Sequence, residues 1–303
     1  MKTYHHLIAA VDFTPSCRRA VREAVRRASL DQAKVTAVHV MEEFLMEELK
    51  RALSTDEATI RADWQQKLRQ FVDETDAGGA AISIELRVGN PFGELVEACH
   101  THGADLLVMG AKGSHNEPHR IGVIAARCIR NAPVDVLVVR QEALQPFHRV
   151  LACVDFSENA AKAVQCALHI AQQDKAALDC LYVYQSAMAL ALDYGGFVSP
   201  MPPITTDDEA RAMWDKELKK FIEPLLRKSE DVAVNSLIVE TVNIREGIMD
   251  YVTESGADLV VLGTRGKGTI RHMLIGTTAE KIVQHAPCSI LAVKPDAIVT
   301  EES

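Results

Sequence analysis

At 303 residues the chain is longer than one hydrophobic core usually supports, so about two domains are expected. Apolar content of 48% with 25% charged residues is that of an ordinary globular protein and argues against disorder, and no run approaches the roughly 18 apolar residues of a membrane span. A formal charge of −9 weighs against non-specific nucleic-acid binding and favours solubility, although Arg265, Lys267 and Arg271 form a local basic loop that can attract an anion.

Met1-Lys2-Thr3-Tyr4-His5-His6 leads straight into a strand pattern without the apolar core of a signal peptide, and a cytoplasmic protein without a membrane partner is expected. Seven cysteines, an odd number without any C-x2-C pair, sit mostly in apolar runs and read as buried reduced thiols. His115-x3-His119 has a spacing that can clip a metal, but no cysteine or acidic cluster accompanies it, and no metal site is assigned.

In chain order, His6 to Val11 reads as strand one, and Ser16 to Ala28 as a helix with apolar residues at Cys17, Ala20, Val21, Ala24 and Val25. Lys34 to Val40 is strand two. The acidic stretch from Glu42 to Thr75 reads as helix, with a break near Ser54-Thr55-Asp56 where a cap can start a new one. Strand three (Ala81 to Val88), a helix (Phe92 to His100), strand four (Leu106 to Met109), a helix (Gly122 to Asn131) and strand five (Val134 to Val139) complete the first half. Strands alternating with helices over short turns imply a doubly wound parallel sheet.

The second half writes this domain again. Ala10-Val11-Asp12-Phe13-Thr14 recurs as Cys153-Val154-Asp155-Phe156-Ser157, Ala104 to Gly110 as Ala257 to Gly263, and Asn131 to Arg140 as His285 to Lys294. Offsets drift only from 143 (Asp12 to Asp155) to 154 (Asn131 to His285), so the order of elements is kept. The expected domains are 1–140 and 148–295, with Gln141 to Phe147 as linker. Between strand two of the second half (Ala177 to Val183) and the helix after Asp207, Tyr194 to Ile204 is too rich in glycine and proline for helix and reads as an irregular loop, either a connector or a lid.

The chemistry gathers after strand four of the second half. Leu259-Val260-Val261-Leu262 stops at Gly263-Thr264-Arg265-Gly266; nine residues later come Gly276-Thr277-Thr278 and a helical pattern. Glycine admits positive φ and close approach of a ligand, and a helix start directs free N–H groups and a positive dipole end outward, which favours phosphate. Thr277-x-x-Glu280 also reads as a capping box. Neither a Walker A nor a dinucleotide fingerprint is present.

The spacing G-x2-G-x9-G-[ST] after an apolar strand, followed by a helix and a closing strand (Cys288 to Val293), resembles the nucleotide loop of the universal stress protein family, and the resemblance covers both halves. It implies two tandem five-stranded sheets of order 3-2-1-4-5, of the adenine nucleotide alpha-hydrolase-like, Rossmann-like class. It also implies ATP as the ligand, with Mg²⁺ riding on the phosphates. Carried over residue by residue, it places Asp155 and Val183 toward adenine, Gly263, Arg265 and Gly266 near the ribose and phosphates, and Gly276, Thr277 and Thr278 on the phosphates. Asp155 equally suits a turn or cap carboxylate, and Val183 plain core packing.

The first half departs from the motif. Only eight residues separate Gly113 from Gly122, Val123 stands where the hydroxyl should be, and Pro118 restricts the insert. The shorter spacing is expected to redirect the helix start, leaving a structural partner that binds nucleotide weakly or not at all. No P-loop lysine, aimed base or Mg²⁺-holding carboxylate pair is evident, so slow ATP hydrolysis is the most expected of the second half. Strand five is the exposed sheet edge through which the resembling family pairs subunits, so the two halves are expected to pair as a pseudo-dimer, with homodimerisation through other surfaces left open. A different class of function, a scaffold with vestigial sites, stays open beside ATP-binding regulation.

Overall fold

The protein's computed structural model describes residues 2–75, 81–111, 121–140, 145–185, 207–227, 231–266 and 275–295. It divides into two compact units, one of residues 3–145 with 287–292, the other of residues 1–2, 146–286 and 293–303. In the first, β1 (His6–Val11), β2 (Lys34–Met41), β3 (Ile82–Val88), β4 (Leu106–Gly110) and β5 (Asp135–Val139) form a parallel sheet in the order β3-β2-β1-β4-β5. Ile290–Ala292, from β10 (Ser289–Val293), belongs to the same unit and pairs antiparallel with Val136–Val138. The second unit lays down β6 (Arg149–Cys153), β7 (Ala177–Gln185), β8 (Val234–Thr241) and β9 (Leu259–Gly263) in the parallel order β8-β7-β6-β9.

Helices α1 (Pro15–Asp31), α2 (Glu43–Leu53), α3 (Glu57–Asp73), α4 (Pro91–His102) and α5 (Val123–Asn131) connect the first five strands. In the second unit α6 (Glu158–Asp174), α7 (Asp207–Leu226), α8 (Ile244–Ser255) and α9 (Thr277–His285) take the corresponding places. The expected break after α2 is real: Ser54 turns left-handed at φ 50°, and the Asp56 carboxylate accepts from the Thr59 N–H at 2.7 Å to start α3. The central strands are buried on both faces, as parallel sheets between helices require, with Leu7, Ile8 and Ala9 or Val150, Leu151 and Ala152 fully enclosed. None of the seven cysteines is in a disulfide, five of them are buried, and the Cys17, Cys99 and Cys180 thiols are pushed up to about 12 chiefly by burial.

The repeated acidic residue before strand four has a structural role in each unit. Asp105 accepts from the N–H groups of His5 and His6 at 2.9 and 3.2 Å, and Asp258 from those of His148 and Arg149 at 2.8 and 3.1 Å. Asp31 and Asp174 likewise hold the Tyr4 and Phe147 N–H groups at 3.2 and 2.8 Å. Two carboxylates therefore pin the central strand of each unit at its amino end. The second unit adds Asp179, fully buried, which accepts from Arg149, Tyr251 and Asn235 at 2.9, 2.9 and 2.7 Å. Burial and this carboxylate push the Tyr251 phenol up to about 12. Replacing Asp179 by Ala leaves the Tyr251 and Asn235 donors without their acceptor and the half-exposed Arg149 to solvent, and is expected to lower the unfolding free energy by about 1–3 kcal/mol in urea titration.

Candidate functional site

The carboxyl ends of β6 and β9 and the start of α9 form the candidate site. After β6 the chain leaves the sheet through Asp155-Phe156-Ser157. Phe156 sits in the left-handed region at φ 59°, the Asp155 carboxylate accepts from the Ser157 N–H at 3.0 Å, and Ser157 caps α6 by accepting from the Ala160 N–H at 3.0 Å. A phenylalanine in this conformation is strained, at about 1–3 kcal/mol, and its ring is held by Tyr182, Trp214 and Phe221 with centroids 4.6, 5.9 and 5.5 Å away. Asp155 thus occupies the turn-carboxylate role at the edge where the sequence placed it.

At the end of β9, Gly263 has no room for a side chain. A Cβ there would lie 2.9 Å from the Asn159 amide nitrogen and 3.1 Å from the Asn159 backbone carbon, and its φ is not positive. The glycine is therefore dictated by close packing of α6 on β9 rather than by the positive φ expected from the sequence. Gly110 repeats this in the first unit, where a Cβ would meet Ser16 Oγ at 2.6 Å. Thr264, only 1% exposed, gives its N–H and hydroxyl to the Val293 carbonyl at 3.0 and 3.3 Å. Asn159 Nδ2 reaches the same carbonyl at 3.2 Å, so the turn is tied into the sheet.

The two halves of the loop motif meet through the backbone: the Gly276 N–H donates to the Thr264 carbonyl at 2.9 Å, and Ser157 Oγ donates to the Arg265 carbonyl at 3.5 Å. Gly276 is the N-cap of α9 with φ −69° and ψ 147°, and no side chain caps the helix. The capping-box reading of Thr277 is overturned, because Thr277 is the first helical residue. Its side chain is exposed, and Thr278 beside it is half-buried. Gly263, Arg265, Gly266, Gly276, Thr277 and Thr278 are thereby gathered at one edge. Val183, 5% exposed, is core; its methyl would stand 3.1 Å from a Cβ on Gly247.

The first unit builds the same helix start. Gly122 caps α5 with φ −61° and ψ 148°, and its N–H donates to the Ala111 carbonyl at 2.9 Å. With the shorter insert, the N-cap dihedrals and the backbone bond to the preceding turn match those at Gly276. What differs is chemical, since Val123 stands 78% exposed at the position Thr277 holds in α9. Lys112 to Arg120, with Gly113, His115, Pro118 and His119, lie outside the described residues, as do Lys267 to Leu274 and the loop from Tyr194 to Ile204. Among the described residues no group of three or more acidic, histidine or cysteine side chains could hold a metal, and no helix is long and apolar enough to cross a membrane.

Sequence reasoning missed the aromatic cluster that locks each Asp-Phe turn. In the first unit Phe13, at φ 60°, packs against His39, Trp64 and Phe71 at 4.6, 5.8 and 5.4 Å. The signal was available: a bulky aromatic repeats after each acidic residue, where a plain turn would favour glycine or asparagine.

A doubly wound α/β unit with a capped turn after the central strand and a glycine turn feeding a helix start defines the adenine nucleotide alpha-hydrolase-like class. The profile of the universal stress protein family matches residues 3–140 and again 146–294, and the chain belongs to that family in tandem form. It is 26% identical over 303 residues to universal stress protein Rv2623 of Mycobacterium tuberculosis, covering 95% of this chain and 96% of the relative. It is also 29% identical over 149 residues to universal stress protein YxiE of Bacillus subtilis, covering 49% of this chain and 99% of the relative. A solved universal stress protein from Archaeoglobus fulgidus superposes with a TM-score of 0.66 at 15% identity, covering 95% of this chain and 98% of that one, a likeness of fold.

Gly263→Ala is expected to cost about 1–3 kcal/mol in stability, and the added Asn159→Ala to recover part of it, read from urea midpoints. A second expectation concerns His39, whose pKa burial holds below 6.5. The folded state prefers the neutral ring, so this group's contribution is complete above 6.5 and is lost as pH falls through the lowered value. His39→Phe is expected to flatten the loss of stability between neutral pH and about pH 5, measured by thermal unfolding across that range.

Proposed function

We propose that the chain is an ATP-binding regulatory protein whose one competent site lies in its second copy, residues 148–295, while the first copy, residues 1–140, carries a degenerate loop. The observation that carries this reading is the head of α9, where first-turn N–H groups without a side-chain cap adjoin the exposed Thr277. The same position in α5 presents an exposed valine, which cannot donate to phosphate. The family membership fits the reading.

In this assignment Gly276, Thr277 and Thr278 hold the phosphates, and Gly263, Arg265 and Gly266 border the ribose and phosphates. Asp155 keeps its turn bond through one oxygen and offers the other toward adenine, and Val183 forms part of the wall behind the base. Mg²⁺ rides on the phosphates, and hydrolysis is slow at most. Pairing of the two copies through their fifth strands belongs to the same proposal, and is supported by the antiparallel register of Ile290–Ala292 on Val136–Val138.

The test is calorimetric titration with Mg·ATP, together with mass spectrometry of small molecules released from the purified chain. The unsubstituted protein is expected to bind one equivalent. Thr277→Ala is expected to weaken binding about tenfold, and Gly276→Glu to abolish it by placing a carboxylate at the helix start. No affinity at millimolar ATP would overturn the reading in favour of a scaffold. Full binding by Gly276→Glu would move the site elsewhere.

A further inference from the structure

In the second unit β8 stands at the end of the strand order, and among the described residues no strand pairs with its outer side. A cleft of about 310 Å³ opens across it, lined by Ser236 to Val239 of the strand, Arg211 and Asp215 of α7, and Tyr251 of α8. The helices on its two faces thus leave the strand's backbone within reach. The Leu178 N–H donates to the Ala233 carbonyl at 2.9 Å and Leu178 pairs with Val234, so the odd-numbered residues of β8 bond to β7. The N–H and C=O groups of Val234, Ser236, Ile238 and Glu240 therefore point outward.

The matching strand of the first unit, β3, carries a charged network. Glu85 bonds to Arg87 at 2.8 Å and to His102 at 2.6 Å, and Arg87 reaches Glu94 at 3.3 Å. Half-buried charges on an edge strand resist strand addition, because an incoming strand would strip their remaining water. Strand registers align the two copies: Leu7 pairs with Val35 and Leu106, Val150 with Leu178 and Leu259, so Val35 matches Leu178 and Ile82 matches Val234. Glu85 then corresponds to Leu237 and Arg87 to Val239. Helices α4 and α8 are both 12 residues long, which puts Gly247 and Ser255 where Glu94 and His102 stand. Every member of the network is replaced by an uncharged residue, and Leu237 and Val239 are only half-buried.

We propose that β8 is a docking edge for a second copy of this chain, the two strands pairing antiparallel about a two-fold axis at Leu237. Only this register pairs each outward residue with another outward one across the axis, Val234 with Glu240 and Ser236 with Ile238. Asn235 then faces Val239 and Leu237 faces its own copy, so no like charges meet between the strands. The β3 edge of a second copy is excluded by its ion pairs. The chain already joins two apolar strands of its repeats in this antiparallel manner, Ile290–Ala292 on Val136–Val138. The proposal does not rest on nucleotide binding by either copy of the domain.

Sedimentation equilibrium is expected to show a dimer that dissociates on dilution through about 10 µM. Ser236→Pro removes one outward N–H and no bond to β7, and is expected to weaken association about tenfold or more while the circular dichroism spectrum stays that of the folded chain. Leu237→Glu with Val239→Arg, which copies the charged pair of β3, is expected to give a monomer. Leu237→Cys reads the register: at the axis the two Cα atoms would lie about 4.5 Å apart, within reach of a disulfide, so mild oxidation is expected to link two chains. Val239→Cys, away from the axis, is expected to stay unlinked, as is the unsubstituted protein. A monomer at every concentration would overturn the proposal and leave the edge to an extended peptide of another protein. So would a dimer unchanged by both edge variants, or one in which Leu237→Cys fails to cross-link. If the double variant fails to fold, Ser236→Pro and the cross-link still decide. None of these measurements involves ATP, so failure here leaves the calorimetric test standing, and the converse also holds.

Discussion

The turn that follows the central strand of each unit is the constraint on which the rest of the structure depends. Asp12-Phe13-Thr14 and Asp155-Phe156-Ser157 each force a phenylalanine into the left-handed region, let the acidic side chain hold the capping residue, and start a helix at once. The strain is offset by ring packing against the helix and strand that follow. The helix then lies so close to strand four that only glycine fits at Gly110 and Gly263, and the next turn is drawn onto the sheet edge. The position of the candidate site is a consequence of this packing.

The two units show how a duplicated scaffold can diverge in chemistry while conserving geometry. Gly122 and Gly276 begin their helices with nearly the same dihedrals and the same 2.9 Å bond back to the preceding turn. One helix presents an exposed valine and the other an exposed threonine, so the difference between the copies is one of hydrogen-bond donors at an anion-attracting helix start. The carboxyl edge of β2 diverges too. His39 lines a cleft there, while the aromatic cluster of the second unit carries Tyr182 and Tyr184 on β7.

Part of the candidate site was legible because its signals are local. The glycine-threonine spacing, the apolar strand before it and the duplicated Asp-Phe pair can each be read without knowing what lies nearby. The reasons behind individual residues were less legible. Gly263 suggested backbone freedom, yet Asn159, more than a hundred residues earlier, is what excludes a side chain. Thr277 suggested a cap, yet Gly276 already occupies that position. Asp105 and Asp258 were visible only as part of the repeat, and the structure shows them clamping the first strand of each unit.

By itself the amino-acid sequence determined the duplication and the alternation of strands and helices, because hydrophobic period and turn chemistry are written residue by residue, whereas the strand order was only what the family resemblance implied. Tertiary structure decided that the segment Pro287–Ala292 belongs to the first compact unit, that Gly122 keeps its backbone bond to Ala111 despite the shortened insert, and that His39 keeps a buried acceptor without a donor. Each of these depends on distances between residues far apart in the chain, fixed only when the helices close over the sheets.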